Sequence, residues 1–174
     1  MDCDSYLGRI LEKLLPTHDI VRDYPADGQV LPAYARYEAM NEKYVLSRKA
    51  TLWKAGEYEH VLFFTVPAQG APDRFTALAQ QLITDYMEPV LARGNEKYPP
   101  RDHMRTFLTA VIVSEVSPSE TLIRRIRKYR FDKGYQFSFR GFSQGRLVFV
   151  DLSAGKVYTS PAANDVAEFF RQIL

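Results

Sequence analysis

Between Asp4 and Leu15 the apolar residues Tyr6, Leu7, Ile10, Leu11, Leu14 and Leu15 recur every three to four positions, the spacing of one helix face, and Pro16 closes the run. Asp23–Pro32 (DYPADGQVLP) is dense in turn formers and reads as a loop or wide hairpin connection. From Ala33 the period shortens. AYARYEAM and YVLSRKATLW read as two strands joined by a tight hairpin at Asn41-Glu42-Lys43, and a turn at Ala55-Gly56 leads to a third, His60–Val66 (HVLFFTV). That third strand is apolar on both faces, as a strand covered on both sides must be. Phe75, Leu78, Ala79, Leu82, Ile83, Tyr86, Met87, Val90 and Leu91 then hold helical spacing, and after the loop RGNEKYPPRD a second continuous apolar strand runs from Thr106 to Val113. Two doubly buried strands joined by a long helix predict a parallel, right-handed βαβ crossover.

Ser117 as N-cap, Pro118 at the first helical position and Glu120 three residues on predict the next helix, with Leu122, Ile123, Ile126 and Tyr129 inward. Strands are expected at Tyr135–Phe142, with Tyr135, Phe137 and Phe139 facing the core, and at Leu147–Leu152, with Ser143-Gln144-Gly145 as the hairpin loop between them. KVYT follows as another strand, and Ser160-Pro161 caps a last helix ending in VAEFFRQIL. The expected fold is a single α+β domain over residues 1–174, a mixed sheet flanked by helices in the order α-β-β-β-α-β-α-β-β-β-α.

Composition narrows the chemistry. The single cysteine, Cys3, near an end expected to fray, excludes an intramolecular disulfide and a four-cysteine metal site, and suits a reducing, cytoplasmic compartment. The first residues carry acids where a secretory leader needs positive charge, and no run approaches the roughly 20 apolar residues that cross a bilayer, so no membrane partner is expected. Net charge is only +2 but unevenly placed: residues 1–100 have 11 Lys+Arg against 14 Asp+Glu, and residues 101–174 have 12 against 7.

Gly141-Phe142-Ser143-Gln144-Gly145 spells the G-x-S-x-G of a hydrolase nucleophile elbow, which needs strand, sharp turn, then helix. Here a strand-like RLVFVDL follows, and His18, His60 and His103 all precede the serine, so no catalytic residue is assigned. The three histidines have no partner at metal-ligand spacing, and His60 reads as a hydrogen-bonded structural group. Phosphate-binding glycine motifs are absent. No metal or cofactor is implied.

Over roughly Asp4 to Val113 the order helix, three strands, long helix, strand resembles the core of restriction-endonuclease-like proteins, the PD-(D/E)xK superfamily. That resemblance implies a metal-holding acid and an E-x-K on adjacent strands, where this chain has Phe63, Phe64, Thr65 and Val66, so it implies an inactive relative unless a migrated site forms from Glu38, Lys49, Glu57 and Glu59. NEKYVLSRKATLW and VFVDLSAGKVYT also resemble an uncharacterised bacterial domain-of-unknown-function family.

The stretch RRIRKYRFDKGYQFSFRGFSQGR interleaves cations with aromatics. Arg124, Arg125, Arg127, Lys128, Arg140 and Arg146 are the expected surface for nucleic acid or another polyanion, weighed against a merely solvated helix face. A protein partner or self-association through Phe169, Phe170 and Ile173 of the terminal helix is the rival binding reading, and a divergent metal-dependent nuclease the rival enzyme.

Overall fold

The computed structural model describes the backbone of residues 1–44 and 51–174 and the side chains of residues 1–39 and 56–174. Helix α1 (Cys3–Leu14) opens on Asp2, whose carboxylate accepts from the Ser5 N–H at 2.7 Å. Strands β1 (Asp19–Ala26), β2 (Gln29–Tyr44) and β3 (Thr51–Val66) form an antiparallel meander. Helix α2 (Pro72–Leu82) continues as a π-helix over Ile83–Ala92 and leads to β4 (His103–Ser114), which lies parallel to β3. Helix α3 (Glu120–Lys128) then leads through the short β5 (Asp132–Gly134) to β6 (Phe142–Asp151), parallel to β4. Strand β7 (Lys156–Thr159), a 3-10 turn (Pro161–Ala163) and α4 (Ala167–Arg171) close the chain. The sheet runs β1-β2-β3-β4-β6-β5, with β7 also on the outer side of β6.

This is the α+β architecture expected, in the expected order, and its centre follows from unbroken apolar runs. Leu62, Phe64, Leu108, Ala110, Ile112, Leu147 and Phe149 face α2, the π-helix and α3, where Leu82, Ile83, Met87, Leu122 and Ile126 meet them. Phe63, Val111, Val113, Val148 and Val150 face α1 and α4, against Tyr6, Ile10, Phe170 and Ile173. A strand covered on both faces has no polar side to alternate with. Truncating a wholly buried ring such as Phe63 costs about 3–5 kcal/mol. No helix among the described residues is long and apolar enough to cross a membrane.

The strand bounds differ from those expected, and the errors compensate. DYPADGQVLP is not a loop: it carries half of β1, a two-residue turn and the start of β2. Asp27 and Gly28 both have positive φ (45° and 77°) between the paired Ala26 and Gln29, as a type I′ hairpin turn requires. Asn41-Glu42-Lys43 lies inside β2, and β3 passes without a break through Ala55-Gly56, so the end of the expected strand YVLSRKATLW, from Thr51, is one strand with His60–Val66, while its residues 45–50 lie outside the described residues. Tyr135–Gly141 is a turn instead of a strand, with Gln136, Phe137 and Ser138 in succession at φ 48°, 54° and 69°. Tyr135 is buried there, but Phe137 and Phe139 are 100% and 87% exposed. The α3 N-cap is Ser119, accepting from the Leu122 N–H at 3.1 Å, and not Ser117. Nor does Cys3 fray: it is buried, its Sγ 3.3 Å from the Val113 carbonyl, and desolvation pushes the thiol up to about 11.

Candidate functional site

Ser143 is the residue with the strongest catalytic spelling, and its surroundings deny it that role. It lies within β6, fully buried, its hydroxyl 2.7 Å from that of Tyr135. It is therefore neither at a strand-to-helix elbow nor in the hairpin loop that the spelling suggested. The two glycines of the motif have steric reasons. At Gly141 (φ 73°) a Cβ would stand 1.9 Å from the Met104 carbonyl oxygen, and at Gly145 it would meet Phe131 Cβ at 2.8 Å.

The Tyr135 hydroxyl donates onward to Glu88 Oε1 at 2.9 Å, tying the β5–β6 turn to the π-helix. Glu88 also accepts from Arg93 at 2.6 and 3.2 Å and faces the Lys133 ammonium at 3.3 Å. Burial alone would raise this carboxyl, but Arg93, Tyr135 and Lys133 outweigh it and hold it below its ordinary value. Pro89, which has no N–H to donate, sits inside the same π-helix, where the hydrogen-bond ladder is already displaced.

Two of the three histidines are built into this face. His103 Nδ1 donates to the Arg140 carbonyl at 2.7 Å, which leaves Nε2 to accept from Thr106 Oγ1 at 2.8 Å. His60 lies 2.7 Å from the Tyr34 hydroxyl, and burial, with help from Arg36, pushes it down to about 4.

The cations expected to form one surface divide into three. Arg124, Arg125, Arg127 and Lys128 are exposed on α3, because Leu122 and Ile126 turn the opposite side of that helix into the core. Arg125 pairs with Asp73 at 3.0 Å. Arg140 bends away, donating to the Pro99 carbonyl at 3.0 Å beneath the Tyr98 ring. Arg146 leaves the surface altogether. It is 5% exposed on the α1/α4 face of β6, with its guanidinium 3.5 Å from the Phe107 ring centre, 2.9 Å from Asp165 and 3.6 Å from Glu59. A strand residue preceding Leu147 points to the opposite side of the sheet from it, and there two carboxylates compensate the buried charge.

Two cations that the sequence reading passed over complete the α3 surface. A groove of about 600 Å³ between α3, the β6–β7 turn and α4 is lined by Arg124, Arg127, Lys156 and Arg171, with Tyr158 beneath Arg127 at 6.0 Å. Glu120 is the acid that lines it, and Glu168 lies 3.4 Å from Arg171. The rival interface residues are mostly spent on the fold: Phe170 and Ile173 are buried in the α1/α4 core, and Phe169 is half-buried, edge-on to Phe170.

The profile of one protein family, described as Domain of unknown function (DUF8052), matches residues 2–172. The chain belongs to that family. No curated protein and no solved structure matches it. No solved-structure match supports the expected resemblance of this DUF8052 chain to restriction-endonuclease-like proteins, and the carboxylates named for a migrated metal site do not converge. Glu38 projects with Arg36, Tyr58 and His60 on the α2 face of the sheet, Glu57 and Glu59 on the α1 face, and Lys49 lies outside the described residues. Among the described residues no three His, Cys, Asp or Glu side chains gather to hold a metal ion.

What sequence reasoning missed in this family member is the cluster around Glu59: Thr109 donates to its Oε1 at 2.8 Å, Arg146 flanks it, and His18 faces its Oε2 at 3.8 Å. Those residues come from four places in the chain and form no local motif. The available signal was a charge inside an apolar run, as with Arg146 before LVFV.

Proposed function

We propose that this chain is a non-catalytic binding protein that holds nucleic acid, or another polyanion, in the groove between α3, the β6–β7 turn and α4. The observation that carries the reading is the convergence of Arg124, Arg127, Lys156 and Arg171, from three separate elements, on one concavity. Cations scattered over a helix face are ordinary; cations brought to one groove by three elements concentrate potential where a phosphate backbone would lie. Exposed Phe137 and Phe139, in the turn after β5 at the far end of the same sheet edge, favour nucleic acid among polyanions, because unpaired bases stack on aromatic rings.

The test is fluorescence anisotropy of labelled single- and double-stranded DNA and RNA at two salt concentrations. Binding should weaken steeply with salt, as counterions released by each neutralised phosphate require, and the Arg124→Glu, Arg127→Glu, Lys156→Glu triple variant should abolish it. Phe137→Ala with Phe139→Ala should weaken single strands and leave the salt slope unchanged. Absence of binding at low salt overturns the reading, and so does binding that survives the triple variant.

A further inference from the structure

A second concavity, of about 270 Å³, lies on the α1/α4 face of the sheet, between the end of α1 and the start of α4. Its walls are apolar, with Leu14, Val166 and Phe169 among them, and its polar groups are His18, Glu59, Thr109 and Asp165. An apolar hollow with a few placed polar atoms has the make-up of a small-molecule site.

Charge and hydrogen bonding narrow the ligand. Glu59 and Asp165 share a single guanidinium, that of Arg146, at 3.6 and 2.9 Å, so these three groups carry one negative charge in excess. Thr109 and Arg146 both address Glu59 Oε1, which leaves Oε2 open toward His18. The Thr17 hydroxyl touches both the Leu14 carbonyl, at 3.3 Å, and His18 Nδ1, at 2.8 Å. With its proton on the Leu14 carbonyl it accepts from Nδ1–H and leaves Nε2 an unprotonated acceptor, and this is the tautomer that the proposed ligand selects. That Nε2 is buried without a partner, in a side chain only 10% exposed, 3.8 Å from the carboxylate oxygen it faces. In that tautomer two acceptors face each other across a gap too long for a hydrogen bond, and both need a donor.

We propose that this cavity binds a small organic cation, a primary ammonium whose N–H groups reach Glu59 Oε2, His18 Nε2 and the Asp165 carboxylate while its apolar body lies against Leu14, Val166 and Phe169. An ammonium has three donors and no acceptor, which is what three converging acceptors require. At the ~30 Å³ a water occupies in the liquid, the cavity takes roughly nine heavy atoms.

The experiment is isothermal titration calorimetry with 2-phenylethylamine, 2-phenylethanol and phenylacetate, three probes that share a phenylmethylene body and differ in the polar end. The amine should bind at least ~10-fold more tightly than the alcohol and the carboxylate, since only it satisfies every acceptor. Glu59→Gln should weaken the amine at least ~10-fold, and Asp165→Asn, at a side chain 62% exposed, about threefold. Val166→Trp should block it. Equal binding of the three probes, no heat from the amine at millimolar concentration, or amine binding unchanged by Val166→Trp would each overturn the proposal. The triple variant of the basic groove should leave amine binding intact.

Discussion

Glu88 and Glu59 are two inward-facing carboxylates on opposite faces of one sheet, and they are finished differently. Glu88 is saturated: Arg93 grips both oxygens, Tyr135 donates to one and Lys133 faces the other, with the carboxyl 4% exposed. Glu59 has one oxygen occupied by Thr109 and Arg146 and the other turned to an unpartnered histidine nitrogen beside a cavity. The saturated carboxylate fastens a turn to a helix, while the unsaturated one keeps an acceptor open at a hollow. A fully satisfied buried network is a structural device; a partly satisfied one that opens on space is where a ligand can supply what the chain omits.

The sharpest break in that comparison is removal of the saturated partner. Glu88→Ala leaves one guanidinium, one ammonium and one buried phenol without their common acceptor, and should cost about 3–5 kcal/mol in urea unfolding. Because the folded carboxyl lies below its ordinary 4.5, its contribution is whole above that pH and lost as pH falls through the lower folded value. Glu88→Gln should flatten that acid limb. Gly141→Ala attacks the same turn from its backbone. With φ at 73° and the Met104 carbonyl in the way, a cost of about 3 kcal/mol is expected, with Tyr135 drawn from Glu88.

His60 tests the same face by pH. It is held near 4 in the fold against 6.5 when unfolded, so between pH 6.5 and 4 the unfolded chain takes up the proton first and stability falls as pH drops. The loss should approach about 3 kcal/mol, and His60→Gln, which keeps an acceptor for Tyr34, should remove the slope. Were unfolding free energy flat over that window in the parent chain, the buried neutral state assigned to His60 would be wrong.

Against these, Glu59→Gln should cost less than about 1 kcal/mol, because its amide oxygen still accepts from Thr109 and Arg146 keeps Asp165. A loss as large as that of Glu88 would mean that the Glu59 cluster is scaffold, and the contrast between the two faces would fail.

The contrast also explains what the sequence could show. The central strands were legible because HVLFFTV and TFLTAVIV have no polar side, and the helix from Phe75 because its period persists through the π-helical stretch. Strand β1 was not, since it is an edge strand whose residues are mostly exposed and carry no alternation; its one local sign was Asp27-Gly28. Phe137 and Phe139 misled for the opposite reason: they alternate like strand residues yet stand in a left-handed turn. Neither cluster was legible, because each is assembled from distant segments. Glu88 meets Tyr135 across 47 residues, and Glu59 meets Thr109 across 50. Of the basic groove, the two arginines of α3 were visible as a run, while Lys156 and Arg171 reach it only through the packing of β7 and α4.

The smallest expected effect concerns that groove's helix. Arg125 and Asp73 lie 3.0 Å apart with side chains 44% and 56% exposed, so water screens the pair and Arg125→Ala should cost less than about 0.5 kcal/mol. The value of the measurement is its smallness. Cations that contribute nothing to folding can be reversed without disturbing the core, so the Arg124, Arg127 and Lys156 reversals should unfold at the parent's midpoint. Any loss of nucleic-acid binding then reports on the surface itself. A large drop in stability on changing Arg125 would instead make the α3 cations part of the scaffold, as Arg93 is for Glu88, and would erase the distinction between a face that holds the fold and a face left over for a partner.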